Sequence, residues 1–166
     1  MALIRDGAIA TDEWVRAAEG KALPAGAPTI VPFARWLVDS GTLRCHSAPL
    51  GLYMTGADDP EAIAADVGRF ALLAIEFPAF TDGRGYSTAR ILRERLGFQG
   101  ELRAVGDVLR DQFLFLHRCG FDAFEVAETD AAAWHAALAE FRVWYQPTGD
   151  GRAPALALRH RAQAAE

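Results

Sequence analysis

A loop rich in glycine and charge, residues 82–88, has the residue types that bind anions. Its two glycines let the backbone approach a bound group closely, and the N–H groups at the start of the following helix attract negative charge. Arg84 is suited to bind an oxyanion through two parallel hydrogen bonds. We therefore expect a small oxyanion or a partner protein to bind here. The candidate binding residues are Asp82, Gly83, Arg84, Gly85, Tyr86, Ser87, Thr88, Arg103 and Asp111.

Two other interpretations of this loop remain open. The two glycines resemble the start of the dinucleotide-binding pattern Gly-x-Gly-x-x-Gly, but Thr88 stands at the third glycine position. Asp107, nineteen residues further on, lies where that pattern places a ribose-binding acid. The loop is equally consistent with a tight structural turn that is capped by Asp82 or Ser87.

Three charged residues, Glu76, Arg103 and Glu125, lie in segments that are otherwise apolar. On adjacent strands, Arg103 would lie between two carboxylates and be held by charge-assisted hydrogen bonds. One interpretation is a buried ion network that fixes strand order. The other is an active site in which Glu76, Asp107 or Glu125 is the general acid or base. Asp111 lies one helical turn after Asp107, so both carboxylates can face one ligand.

These residues must be positioned by short apolar runs that alternate with segments of helical period from Leu50 onward. Such alternation is typical of successive βα units. It predicts an α/β fold with four consecutive βα units and a mainly parallel sheet, curved like half of a (βα)8 barrel. An open doubly wound sheet is the alternative. In both, ligands bind beyond the carboxyl ends of the strands. The predicted strands are residues 50–55, 71–77, 101–105 and 121–126.

The pattern divides the chain into three parts. Residues 1–48 are expected to be an irregular N-terminal segment with one short helix, residues 49–147 the βα core, and residues 148–166 a mobile C-terminal tail. Four helices are expected after the four apolar runs, and they should begin at Pro60, near Tyr86, at Asp107 and after Asp130. The second of these helices should end at Gly97 and the third at Gly120.

Composition excludes several classes of function. A length of 166 residues with 51% hydrophobic residues predicts one folded domain, and a net charge of −5 gives no general attraction to nucleic acid. No apolar run is long enough to cross a bilayer, and the N-terminus lacks a signal-peptide core. Cys45 and Cys119 have no C-x-x-C spacing. We expect a cytoplasmic protein with reduced thiols and without a metal site, a cofactor or a membrane partner.

Several segments together closely resemble a bacterial family designated domain of unknown function 934. They are FPAFTDGRGYS (77–87), LRER (92–95), GELRAVGDVLRDQ (100–112) and RCGFDAF (118–124), with a weaker match at LIRDG (3–7). The resemblance implies a role connected with sulfite reduction, because genes of family members often lie beside the gene for assimilatory sulfite reductase. Members are labelled probable oxidoreductases or accessory proteins, and the resemblance assigns no catalytic residues.

The leading expectation is an accessory protein of assimilatory sulfite reduction that binds a small oxyanion or the sulfite reductase at the carboxyl ends of its strands. Whether it is an enzyme stays open, because no sequence motif for flavin, nicotinamide, haem or an iron–sulfur cluster is present. One alternative is a half-barrel enzyme that acts on a carboxylate held by Arg103. Another is a non-catalytic interaction module, for which Trp134, Trp144 and Tyr145 are the candidate residues of a homodimer interface.

Overall fold

The secondary structure combines short strands with short helices. A computed structural model of the chain describes residues 1–5, 7–18, 20–127, 131–137, 143–146, 148 and 153–163. The strands are β1 (Ala2–Arg5), β2 (Ala8–Ala10), β3 (Val15–Arg16), β4 (Thr29–Pro32), β5 (Leu50–Thr55), β6 (Phe70–Phe77), β7 (Glu101–Gly106) and β8 (Ala123–Val126). The helices are α1 (Phe33–Leu43), α2 (Arg84–Arg90), α3 (Phe113–Arg118), α4 (Ala131–Ala137) and α5 (Ala155–Gln163), and a π-helix, Ile91–Arg95, continues α2. Short 3₁₀ turns lie at Pro60–Ile63, Val67–Arg69 and Arg110–Gln112.

Within the described residues, these strands form one eight-stranded sheet in the order β2-β1-β8-β7-β6-β5-β4-β3. Strands β3 to β8 are parallel and adjacent in chain order, while β1 is antiparallel to both β2 and β8. Sequential neighbours that pair in parallel produce a half-barrel rather than a doubly wound sheet. The prediction of an α/β half-barrel with a mainly parallel sheet is therefore confirmed.

The sheet is strongly curved, and one ion pair demonstrates it. Arg16 in β3 and Glu125 in β8 lie five strand positions apart, which is about 24 Å in a flat sheet. Their side chains nevertheless meet at 2.9 Å between Nη2 and Oε2. The two strands must therefore approach each other across a concave face.

Alternating side chains give the sheet two different faces. On the convex face, Leu102 and Ala104 of β7 join the main hydrophobic core with Phe124 of β8. On the concave face, Glu101 and Arg103 of β7 form hydrogen bonds with each other. Because side chains along a strand alternate between faces, one strand supplies both the core and the polar interior.

The N-terminal segment is more regular than the sequence predicts. Residues 1–48 contain β1 to β4 and the eleven-residue helix α1, where an irregular segment with one short helix was expected. The strands have only two to four residues, so they are too short to show a two-residue hydrophobic period. Pairing with the rest of the sheet stabilises them instead.

The helices differ from prediction mainly at their starts. The segment that begins at Pro60 forms two 3₁₀ turns rather than one helix, and Phe70, which directly follows the second turn, joins β6 and pairs with Leu50. Helix α2 already begins at Arg84, and α3 begins at Phe113, six residues after the expected start. Gly97 and Gly120 follow the helices as predicted, with φ angles of 69° and 104°. The predicted helix cap at 129–130 lies outside the described residues.

Candidate functional site

Three loops lie together at the carboxyl ends of β5, β6 and β7, and we call them the C-terminal rim (residues 55–59, 78–84 and 106–112). A Cβ atom placed on Gly56 would lie 2.8 Å from Cβ of Arg84, so the first two loops are in contact. The Phe80 N–H donates to Oδ2 of Asp107 at 2.9 Å, and Nε2 of Gln112 donates to the Phe80 carbonyl at 2.8 Å. The rim is therefore one continuous surface.

Gly106 allows the third loop to approach the second. Its φ angle is 94°, and a Cβ atom at this position would overlap the carbonyl oxygen of Phe77. The next residue, Asp107, donates its N–H to that carbonyl at 2.8 Å. Only glycine adopts this conformation and fits the space without strain. The close approach places the Asp107 carboxylate beside the backbone of Phe80.

The predicted anion-binding arginine already has a carboxylate partner. Nη2 of Arg84 lies 2.6 Å from Oδ2 of Asp82, and Nε donates to the same carboxyl group. These hydrogen bonds lower the pKa of Asp82 to about 2. The Arg84 side chain is 60% exposed. Gly83 precedes the first residue of α2 with a φ angle of −84°, which other residues also adopt.

The remaining loop residues mostly face the protein interior. A Cβ atom on Gly85 would lie 2.6 Å from the ring of Phe77, so this glycine is required for the packing of α2 against β6. Tyr86 packs edge-on against the same ring at a centroid distance of 5.4 Å. Thr88 is buried, whereas Ser87 is exposed. The second glycine therefore accommodates a side chain of the protein itself.

Arg103 lies apart from that loop, at the centre of the concave face, and is fully buried. Its Nε and Nη2 atoms each lie 2.8 Å from Oε1 of Glu101. Asp12 accepts hydrogen bonds from Nη1 and Nη2 at 2.7 and 3.2 Å, and Glu125 accepts one from Nη1 at 3.1 Å. Every nitrogen of the guanidinium group is thus bound to a carboxylate of the chain.

Two further arginines extend this ion network. Nη2 of Arg5 lies 2.6 Å from Oε2 of Glu101, and Nη2 of Arg16 lies 2.9 Å from Oε2 of Glu125. Asp12 and Arg16 belong to a segment, residues 12–16, that crosses the concave face and that we call the strap. The ring of Trp14 in the strap lies above Gly51 of β5. The strap therefore fills the space that a concave ligand site would need.

Sequence analysis missed four members of this network: Arg5, Asp12, Arg16 and Glu101. Glu101 had a usable signal, because it lies two residues before Arg103 and shares its face of the strand. Asp12 is 91 residues away from Arg103 along the chain and lies in a loop, so no periodicity links them.

The candidate acid–base residues are not brought together by shared contacts. Glu125 is bound by Arg103 and Arg16, and Asp107 accepts the N–H of Phe80. Glu76 acts on Tyr53, and the Arg16 guanidinium lies 5.0 Å from the centroid of the Tyr53 ring. Burial and the Glu76 carboxylate together raise the pKa of Tyr53 to about 12. Each of the three carboxylates thus has a different partner.

We predict that Glu76→Gln lowers the pKa of Tyr53, because the variant removes the negative charge that disfavours the phenolate. The change can be followed as phenolate absorbance during an alkaline titration, with Tyr53→Phe identifying the contribution of this tyrosine. In the native protein, burial and Glu76 together raise the pKa of Tyr53, and this shift contributes stability below pH 10, the ordinary tyrosine value. That stabilisation decreases as the pH rises from 10 towards 12. An unchanged Tyr53 titration in Glu76→Gln would contradict the proposed coupling.

The arginines along α2 and the π-helix all have carboxylate partners. Arg90 pairs with a glutamate one turn later, and Arg95 pairs with Glu61. Arg93 makes more contacts: it donates to Asp122 and to three backbone carbonyls, those of Phe98, Gly100 and Gly120. These arginines therefore do not form a free basic surface.

A depression of about 560 Å³ lies next to Arg93, at the end of the sheet opposite the C-terminal rim. His117, Cys119 and Asp122 are among its lining residues. Burial raises the pKa of the Cys119 thiol, which disfavours the reactive thiolate form. Cys45 and Cys119 are both free cysteines.

The described residues contain no group of three or more His, Cys, Asp and Glu side chains placed to hold a metal ion. In that same part of the chain, no helix combines the length and the apolar character that spanning a bilayer requires. Trp134 and Trp144 are buried, whereas Tyr145 is 91% exposed. Of the three aromatic residues considered for an interface, the first two thus pack inside the chain.

The curved parallel sheet, its helix-covered convex face and its charged, strap-covered concave face define an α/β half-barrel protein. Residues 51–156 match the family described as "Bacterial protein of unknown function (DUF934)". The chain belongs to this family, so the predicted relationship is confirmed. No curated protein and no solved structure matches the chain.

Proposed function

We propose that this protein is a cytoplasmic accessory protein of assimilatory sulfite reduction, and that its C-terminal rim docks onto the sulfite reductase. The observation that carries the docking role is the presentation of Phe80. Its side chain is 55% exposed, yet its backbone N–H and carbonyl are both held by side chains of the neighbouring loop. The connection to sulfite reduction comes from the resemblance of the sequence to the family.

Phe80 has an apolar neighbour on the rim. Leu109 is 42% exposed, and its N–H donates to Oε1 of Gln112 at 3.1 Å. The same Gln112 amide binds the Phe80 carbonyl, so one side chain fixes both apolar residues. Exposed apolar groups that are held in place lose little entropy when they bind, and such groups commonly dominate protein interfaces.

The contacts favour a protein partner over a small oxyanion. An oxyanion at Arg84 would compete with Asp82, and one at Arg103 would compete with three carboxylates. Asp107 and Asp111 add further negative charge to the rim. Like charges disfavour binding of sulfite or sulfate at this surface.

The same contacts give less support to a stand-alone enzyme. A carboxylate substrate held by Arg103 would have to replace Asp12 or Glu125 inside a face that the strap covers. Among the described ion pairs no arginine binds Glu76 or Asp107, but Asp107 already accepts the N–H of Phe80, and Glu76 acts on Tyr53. The half-barrel therefore serves best as a rigid support for the rim.

The docking test uses the double variant Phe80→Ala/Leu109→Ala. If these side chains are the centre of the interface, the variant should bind purified sulfite reductase at least about thirtyfold more weakly than the native chain, the loss that follows from about 2 kcal/mol. Biolayer interferometry gives the dissociation constants. The matched control is Leu37→Ala/Val38→Ala, which removes two exposed apolar side chains from α1. Equal affinities for both double variants would refute rim docking.

A genetic test addresses the pathway separately. A deletion strain should grow poorly with sulfate as the sole sulfur source and normally with sulfide, the product of sulfite reduction. A gene for Phe80→Ala/Leu109→Ala should fail to restore growth on sulfate, whereas a gene for the control Leu37→Ala/Val38→Ala should restore it. Normal growth of the deletion strain on both sulfur sources would refute the role in sulfite reduction.

A further inference from the structure

We infer that the rim recognises a basic protein surface with an apolar recess, and that the partner contributes lysine or arginine side chains around that recess. This inference rests on the proposed function, because it requires that the rim binds a protein. The apolar pair formed by Phe80 and Leu109 provides the central contact. The charges around that pair indicate the chemistry of the partner.

Carboxylates outnumber cations around the apolar pair. In the described ion pairs, Asp58, Asp59, Asp107 and Asp111 have no basic partner, and Arg110 is the one rim arginine without an acidic partner. The remaining rim charges, on Asp82 and Arg84, neutralise each other as an ion pair. The rim therefore carries a net negative charge.

These carboxylates lie close to the apolar side chains. The carboxylate of Asp107 accepts the N–H of Phe80 itself, at 2.9 Å. Asp111 lies in the 3₁₀ turn that begins directly after Leu109 and is exposed. A carboxylate thus lies beside each member of the apolar pair.

Such an arrangement matches a basic surface and repels an acidic one. Charges that stay hydrated at the edge of an interface mainly accelerate association and select against partners of like charge. The apolar pair at the centre provides the contact that slows dissociation. A partner with basic residues around an apolar recess satisfies both parts of the rim.

Charge reversal at one exposed position tests the inference with the reductase. Asp111→Lys should lower the association rate constant about three- to tenfold at low salt and reduce its dependence on salt. Glu13→Lys is the matched control, because Glu13 is an exposed acid of the strap and lies outside the rim. If the two variants associate equally fast while Phe80→Ala/Leu109→Ala still loses affinity, the basic-partner inference is wrong and rim docking stands.

A peptide titration covers the case in which the reductase does not bind at all. The probes are a synthetic peptide with lysines around one phenylalanine and one leucine, and the same peptide with glutamates for lysines. We expect the lysine peptide to shift the amide NMR signals of residues 78–84 and 106–112 of the full chain, and the glutamate peptide to leave them unchanged. Shifts elsewhere, equal shifts from both peptides or no shifts would overturn the inference.

Discussion

Replacing Arg103 with methionine is expected to lower the free energy of unfolding by about 3–5 kcal/mol at neutral pH, as for other broken buried ion pairs. Methionine occupies a similar volume but provides no charge and no donors. The variant leaves Asp12, Glu101 and Glu125 close together without the buried cation that binds all three. The loss can be measured by urea unfolding followed by circular dichroism.

The pH dependence of this loss separates lost charge pairing from lost packing. Burial raises the pKa of Asp12, but hydrogen bonds from Arg103 and from the Trp14 N–H outweigh it, and the net shift is downward. A lowered carboxyl pKa stabilises the fold above the ordinary value of 3.8, and this stabilisation is lost as the pH falls below it. The difference in stability between native protein and Arg103→Met should therefore narrow in acid.

Two further variants serve as controls for the stability loss of Arg103→Met. Arg90→Met removes an exposed arginine with a single glutamate partner and should change stability by less than about 0.5 kcal/mol. Arg103→Lys keeps the charge but not the fork of donors, so it should fall between native protein and Arg103→Met. If Arg103→Met costs no more than Arg90→Met, the concave network does not hold the strap to the sheet.

The parallel strands β5 to β8 were predictable because several features of the sequence indicate them independently. The strands β5 to β8 are mostly apolar, and glycines such as Gly97 and Gly120 follow the helices between them. Runs that are apolar on both faces are typical of parallel strands covered by helices. The strands of the first sixteen residues have at most four residues each, so only their partners in the folded sheet define them.

The charged residues were predictable as a group but not as contacts. Arg103 between carboxylates follows from its position in an apolar strand, and Glu125 is indeed one of its partners. Glu76 is not, because it lies level with Val105 of β7, and its charge acts on Tyr53 instead. Register decides such pairs, and register depends on turn geometry and packing that a single sequence does not display.

The loop at 82–88 shows the limit of a glycine pattern. Sequence alone does not distinguish a glycine that makes room for a ligand from one that makes room for a side chain of the same protein. At Gly85 the neighbour is the Phe77 ring, and at Gly106 it is the Phe77 carbonyl. A sequence does not single out the exposed Phe80, because its exposure follows from how the loop after β7 holds its backbone.

Arg93→Met is expected to destabilise the protein by about 2–4 kcal/mol, which is much more than its position in a row of arginines suggests. Its guanidinium joins the π-helix to the loops before β7 and β8 through three carbonyls and the Asp122 carboxylate. Hydrogen bonds from a charged donor contribute about 1.5–3 kcal/mol each, but the contributions of one side chain are not additive. Urea unfolding of native protein and variant measures the difference.

The unfolding free energies measured at acid pH test whether the pairing of Arg93 with Asp122 contributes to this loss. Burial raises the pKa of Asp122 above 3.8, and the Arg93 charge opposes that rise, so Arg93→Met should raise it further. A folded-state carboxyl pKa above the unfolded value decreases stability as the pH rises through that interval. The deficit of Arg93→Met should consequently be largest near neutral pH and shrink as the pH falls towards 3.8.

Arg95→Met is the matched control, since Arg95 is 66% exposed and pairs with a single partly exposed glutamate. It should change the unfolding free energy by less than about 0.5 kcal/mol and leave its pH dependence as in the native protein. An equally small deficit of Arg93→Met would mean that Arg93 does not hold the π-helix to the loops before β7 and β8. A large deficit that is constant with pH would mean that the pairing with Asp122 does not contribute to it.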